Sequence, residues 1–434
     1  MIATETMSCL PAAPRDLAET GLSADLVLQI VTKTLHLAGE LSGTELSDRL
    51  GVSFQIVEPA LALLKREHHC EISSGAVLGG PSFRYRLTDT GRVRAALFME
   101  HDHYVGALPV PLAQYTQSIE HFAGETSHPS RETIRRAFSH LVLNQHVLDQ
   151  LGPAISTQHS LFVYGPSGNG KTVISQAIRD VLSGDIAVPH AVSIDGHIIR
   201  IYDPVNHERV ASQSDDAGLA RADAFDGRWV RCRRPLITAG GELTLDALEL
   251  GYSESSGLYR APLQVLANGG VLVIDDFGRQ QVPPGVLLSR WIVPLESRVD
   301  YLTLRTGQKF EVPFRAFVVL ATNLKPSELV DEAFLRRIRY KILAESPTVD
   351  EFIQIFQNYC KYRQLDFDRA VVEYVVHHEL RRRDVRLRAC HPRDLIEHAL
   401  SIAAYLDRPR VLTTDLLSEA CATYFVEDRD LATA

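Results

Sequence analysis

Leu161–Leu182 reads LFVYGPSGNGKTVISQAIRDVL. Leu161 to Tyr164 is a short apolar run suited to a buried strand. Gly165, Gly168 and Gly170 follow in a turn without bulky side chains, so successive backbone N–H groups can close on a phosphate. From Lys171 the apolar residues Val173, Ile174, Ala177, Ile178, Val181 and Leu182 recur at helical spacing, and the N-terminus of this amphipathic helix faces the glycine turn. The pattern Gly165-x4-Gly170-Lys171-Thr172, with Pro166, Ser167, Gly168 and Asn169 between its fixed positions, is a phosphate-binding P-loop. Its chemistry assigns Lys171 to the β- and γ-phosphates and the Thr172 hydroxyl to Mg2+. A glycine-rich loop that binds nothing would leave the strand before it and the helix after it unexplained.

A chain of 434 residues implies two or three domains. No apolar run approaches the ~20 residues of a membrane span. The N-terminus has no basic segment followed by an apolar one, so no secretory signal is visible and a cytoplasmic location is expected. Six cysteines without a C-x-x-C pair point to reduced thiols and to no metal knuckle. A net charge of -9 argues against a protein that coats nucleic acid indiscriminately, because that binding rests on phosphate neutralisation.

Residues 1–22, rich in Pro, Ala and Thr, read as a flexible tail. Residues 23–104 follow the order helix, helix, helix, hairpin, helix. Leu26, Ile30, Val31 and Leu35 mark the first helix; Ser42-Gly43-Thr44-Glu45 opens the second, which stops at Gly51. Ser53 to Leu64 forms the third, which Pro59 either kinks or truly begins. Two strands surround Gly79-Gly80-Pro81, and Thr88-Asp89 leads into a last helix. This order resembles a winged-helix domain, a small α+β fold whose third helix and wing often contact DNA. Eight Lys/Arg against ten Asp/Glu over residues 23–104 leave only Lys65-Arg66, Arg84 and Arg86 as a basic face, which favours a protein contact over DNA.

Residues 105–155 are expected to hold a proline-broken linker, Ala107 to Tyr115, and one helix from Ser130 to about Leu151 that Gly152-Pro153 stops. The interval from Lys171 to Asp275 is more than three times the ~30 residues of a strand–helix–strand unit, so a segment is inserted there. Ala191–Tyr202 reads as a hairpin around Asp195-Gly196. Arg228–Arg234 (RWVRCRR) interleaves arginine with Trp229, which suits single-stranded nucleic acid or a subunit contact.

Val271–Ile274 is an apolar run that ends in Asp275 and Asp276, where a parallel sheet places its ligands. Asp275 is assigned to Mg2+ and Asp276 to the attacking water. Phe317–Asn323 is a second buried strand whose polar end, Asn323, can donate to that water or to the γ-phosphate. Asp331 to Arg337 closes a helix with Arg336 and Arg337, whose planar, permanently charged forks suit developing phosphate charge. From Asp350 the chain is helical.

P-loop, paired acids, Asn323, arginine pair and helical C-terminal region together resemble the AAA+ ATPases. Val299–Pro313 resembles the extra hairpin of the branch containing MoxR-like ATPases and enhancer-binding activators. The resemblance implies an α/β fold in which a parallel-sheet P-loop NTPase core (residues 156–345) precedes an all-helical lid (346–428) and a short tail (429–434). It implies Mg2+-dependent ATP hydrolysis in a homo-oligomeric ring. Arg336 or Arg337 would be the finger that reaches a neighbour's ATP, and Arg393 in His391-Pro392-Arg393 the second sensor arginine. Asp276 stands where most members carry glutamate. The expected activity is remodelling of a protein or nucleoprotein partner; the alternatives are a nucleotide-gated DNA-binding regulator and a loader of another enzyme onto DNA.

Overall fold

The computed structural model describes residues 9–74, 80–124, 129–182, 184–211, 225–329 and 335–425. The apolar runs become five strands: β1 (Leu161–Tyr164), β2 (Leu236–Ala239), β3 (Val271–Ile274), β4 (Phe317–Thr322) and β5 (Tyr340–Leu343). They form one sheet in the order β2-β3-β4-β1-β5. Strand β1 runs parallel to both neighbours, with Leu161 opposite Val319 on one side and Tyr340 on the other. Every residue of β3 and β4 is buried, which is why their sequences do not alternate. Helix α1 (Lys171–Val181) returns from β1 and buries Ile174, Ala177, Ile178 and Val181. This is an α/β core with a parallel sheet, followed by a helical C-terminal region.

The chain divides into two compact units. The first comprises Met1–Thr126, Leu182–Leu272 and Val286–Phe317. Its helices Ala24–Ala38, Gly43–Leu50, Phe54–Arg66 and Asp89–His101 pack with a three-stranded antiparallel sheet whose middle strand is Arg84–Leu87. Ser42 and Glu45 form a reciprocal capping box, and Pro59 lies inside its helix. The short strand Glu40–Ser42, paired with Arg84–Arg86, has no signal in the sequence because three residues carry too little pattern. Gly79 of the expected hairpin tip lies outside the described residues.

Three expectations are corrected in this unit. The tail is ordered from Cys9 onward: Asp16 caps a helical turn at Leu17–Thr20, and Ala12 bridges Phe225. The linker is part of the core. Val110–Pro111 pairs in parallel with Val192 and Ser193 at a sheet edge, where a proline costs no ladder bond, and Leu112–Gly124 is a helix. Tyr115 is buried, and its hydroxyl accepts a 2.9 Å hydrogen bond from Asn268. The Arg228–Arg234 stretch offers no basic face. Arg228 is buried on Asp226 at 2.7 Å, Arg231 pairs with Asp185, Arg233 with Glu208, and Arg234 donates to the Gly269 carbonyl, while Trp229 is buried. Neutralised internally, these arginines build the inserted segment. The hairpins Ala191–Ile194/His197–Arg200 and Val299–Thr303/Lys309–Pro313 both form.

The second unit comprises Ser127–Val181, Val273–Gly285 and Val318–Ala434. The helix expected from Ser130 to Leu151 is two helices, Arg131–Ala137 and Gln145–Thr157. Asn144 starts the second as its N-cap by accepting the Val147 N–H at 2.8 Å, and Pro153 is accommodated within it. The C-terminal helices are α2 (Val349–Tyr362), α3 (Arg369–Tyr374), α4 (His391–Tyr405) and α5 (Thr414–Tyr424). Thr348 and Thr413 cap α2 and α5, and α3 continues through a π-helical stretch, Val375–Leu380. Phe352, Phe356, Leu380, Leu395, Ala399 and Leu417 form their shared core. Residues 426–434, including the expected end tail, lie outside the described residues. All six cysteines are free, and among the described residues no helix is long and apolar enough to cross a membrane.

Candidate active site

The loop between β1 and α1 depends on two glycines for separate reasons. Gly165 sits at φ 140°, and a Cβ there would meet the Ala344 carbonyl oxygen at 2.4 Å. Gly168 sits at φ 82°, and its Cβ would meet the Cys390 sulfur at 2.6 Å. The C-terminal helical region is laid against this loop by backbone bonds: the Cys390 N–H donates to the Gly168 carbonyl at 2.9 Å and the Ala389 N–H to Asn169 Oδ1 at 3.3 Å. Asn169 in turn donates to the Ala344 carbonyl at 3.3 Å.

Lys171 is buried, and its ammonium donates to the carbonyls of Gly165 at 3.0 Å and Pro166 at 2.9 Å and to Asn323 Oδ1 at 2.6 Å. Burial lowers the pKa of this lysine, and Asp275 and Asp276 act in the opposite direction. The Thr172 hydroxyl donates to Asp275 Oδ2 at 2.8 Å, and Asn323 Nδ2 donates to Asp276 Oδ1 at 3.0 Å. Loop, acids and Asn323 thus come from three separate stretches of chain and converge in one hydrogen-bonded group. A hydroxyl beside a single carboxylate suits Mg2+, which takes a few protein oxygens and completes its shell with phosphate and water.

These groups line a cavity of about 1140 Å³, ample for a nucleoside triphosphate. Ser167–Thr172, Asp275, Asp276, Asn323 and Arg393 are all on its wall. Arg393 is engaged there: its guanidinium holds Asp394 at 2.8 Å, and Asp394 also accepts from the Tyr424 hydroxyl at 2.9 Å. Arg336 is exposed and Arg337 half-buried; neither lines the cavity. Asp331–Phe334 lie outside the described residues. The sequence reading missed the far wall, where Leu141, Leu143, Ile355, Tyr359 and Tyr362 present apolar surface. Leu141 and Leu143 fall within the helix expected from Ser130 to about Leu151, which instead ends at Ala137; Asn144, N-cap of the next helix, is the local signal that the two are separate.

Next to this wall, His391 is 4% exposed and packs edge-on against the rings of Tyr424 and Phe425. Burial, and secondarily the charge of Arg388, push its pKa down to about 4, against the pull of Asp394. The unfolded chain binds this proton near pH 6.5 and the folded chain only near 4, so the unfolded state holds more protons between them. Stability from this group is therefore complete above about 6.5 and lost as pH falls toward 4. Thermal melts at pH 7.5 and 4.5 test this: the acid-induced drop in Tm should shrink in His391→Phe, and an equal drop in both chains would refute it.

Among known families, one model matches: a domain of unknown function (DUF8689), over residues 348–423, the span of the C-terminal helices. Comparison with curated proteins gives no match. Similar solved structures include the Holliday junction branch migration motor RuvB of Thermotoga maritima, at 14% identity and a TM-score of 0.37, over 71% of this chain and 74% of that one. They also include NtrX of Brucella abortus. Its complex with ATP is 12% identical with a TM-score of 0.39, over 79% of this chain and 66% of NtrX; another NtrX structure is 14% identical with a TM-score of 0.40, over 68% and 59%.

Proposed function

We propose that this chain is a Mg2+-dependent ATPase of the AAA+ type that works in a homo-oligomeric ring and remodels a protein or nucleoprotein partner. The observation that carries the reading is the convergence of Lys171, Thr172, Asp275, Asp276 and Asn323 on one wall of a nucleotide-sized cavity. The phosphate loop supplies backbone N–H groups and Lys171 for the β- and γ-phosphates. Thr172 and Asp275 would hold Mg2+, which neutralises charge on the phosphates. When phosphate oxygens replace Asn323 Oδ1 on the Lys171 ammonium, Asn323 can turn toward the γ-phosphate. Asp276 orients the water and takes its proton. The apolar wall from Leu141 to Tyr362 suits a purine ring. Calorimetric titration with ATP, with and without Mg2+, together with phosphate release, tests the reading; no magnesium-dependent uptake would overturn it.

Arg336 or Arg337 would complete the site of an adjoining subunit. Replacing the one that acts in trans with alanine should lower turnover by about 10³-fold or more while a single subunit still binds ATP. Turnover measured across a dilution series settles the point, since specific activity independent of concentration through ring dissociation argues against it. A DNA-binding regulator is the weaker reading. Arg84 and Arg86 in the winged-helix-like segment are already paired with Glu40 and Glu71, which leaves the exposed Lys65-Arg66 as the remainder of the expected basic face.

A further inference from the structure

We infer that Gln280 is a positioning residue for Asp276: its side-chain amide locks the turn that aims the candidate water-orienting carboxylate. The inference rests on the ATPase reading above. The chain leaves β3 through Asp275, Asp276, Phe277 and Gly278, and Asp276 lies in the left-handed region at φ 48°. That conformation is uncommon for a residue other than glycine, although Asp adopts it more readily than most, and it persists only where the surroundings enforce it.

Two sets of contacts enforce it here. On the inner side Phe277 is fully buried, with its ring edge-on to Phe162 at 6.0 Å. The Phe277 N–H donates to the Ala321 carbonyl at 2.7 Å, and its carbonyl accepts from the Thr322 hydroxyl at 2.6 Å. On the outer side Gln280 spans the turn. Its Nε2 donates to the Asp275 carbonyl and its Oε1 accepts the Gly278 N–H, each at 2.8 Å. The two peptide groups it grips flank Asp276 and Phe277, so it sets the rotation of the backbone that carries the Asp276 carboxylate toward Asn323, 3.0 Å away. Gln280 is half-buried and is absent from the cavity wall, so its route to the site is through Asp276. Both ends of the amide are used, one as donor and one as acceptor, and only a side chain offering both at this length can replace it.

This requirement separates a positioning glutamine from a purely architectural one by where its loss is felt. In Gln280→Glu the ionised carboxylate only accepts and cannot donate to the Asp275 carbonyl. The test measures steady-state ATP turnover of full-length wild type, Gln280→Leu and Gln280→Glu at about pH 7.5, with calorimetric ATP binding and thermal melts in parallel. Both variants should lower kcat by about 10- to 100-fold, with KM and ATP affinity within about twofold of wild type and the melting transition kept. Wild-type kcat in both variants overturns the inference, and so does loss of ATP binding or of the fold together with kcat. Absence of turnover in the wild-type chain is a different failure, because it removes the ATPase reading itself and the inference with it.

Discussion

A Lys171→Ala chain is expected to lose about 10²- to 10³-fold in ATP turnover, with ATP affinity falling alongside and the melting temperature nearly unchanged. The ammonium is held by two carbonyls of the glycine-rich loop and is buried, which partly strips it of water and lowers its pKa. A phosphate arriving there meets a charge that has been desolvated in advance, so its attraction is stronger than a surface lysine could provide. The fold should tolerate the loss. Lys171 itself and one of its acceptors, Asn323, line the cavity, where water can take the place of the ammonium. Phosphate release, ATP titration and a melting curve on the same preparation check all three parts. Turnover at the wild-type rate would refute the site, and a collapsed melting transition would show that Lys171 serves stability instead.

Asp276→Asn separates binding from chemistry. An asparagine keeps an acceptor oxygen for Asn323 Nδ2 and is at home in the left-handed conformation that Asp276 adopts, so neither the turn nor the 3.0 Å contact is lost. What disappears is the negative charge that, under the proposed function, polarises water and receives its proton. Turnover should fall by about 10²- to 10⁴-fold while ATP affinity stays within about threefold of wild type. A variant with these properties would hold ATP without consuming it and could retain a partner for identification. Equal losses in affinity and turnover would instead assign Asp276 to nucleotide or metal binding.

The core of the site was legible because each of its parts has a local cause. A phosphate loop needs small residues in a fixed run of eight, a doubly covered strand needs an unbroken apolar run, and a ligand-facing strand end needs a polar residue. Leu161–Leu182, Val271–Asp276 and Phe317–Asn323 each state their role within a few positions. The apolar wall did not, since Leu141 and Leu143 have a periodicity that suits a helix as well as a loop. The RWVRCRR stretch misled for a related reason. Whether an arginine is available depends on its partners, and Asp226 lies close in sequence while Asp185 and Glu208 are remote.

Taken alone, the order of residues determined the glycine-rich loop between strand and helix, the buried strands and the acids at a strand end, because those features follow from side-chain size, polarity and period within one segment. Only the tertiary structure decided that Lys171 meets Asn323, that Gln280 braces Asp276, and that Arg393 is held by Asp394. Each of those is a contact whose energy depends on distance and on what else competes for the same atom, and neither quantity exists until the chain has folded.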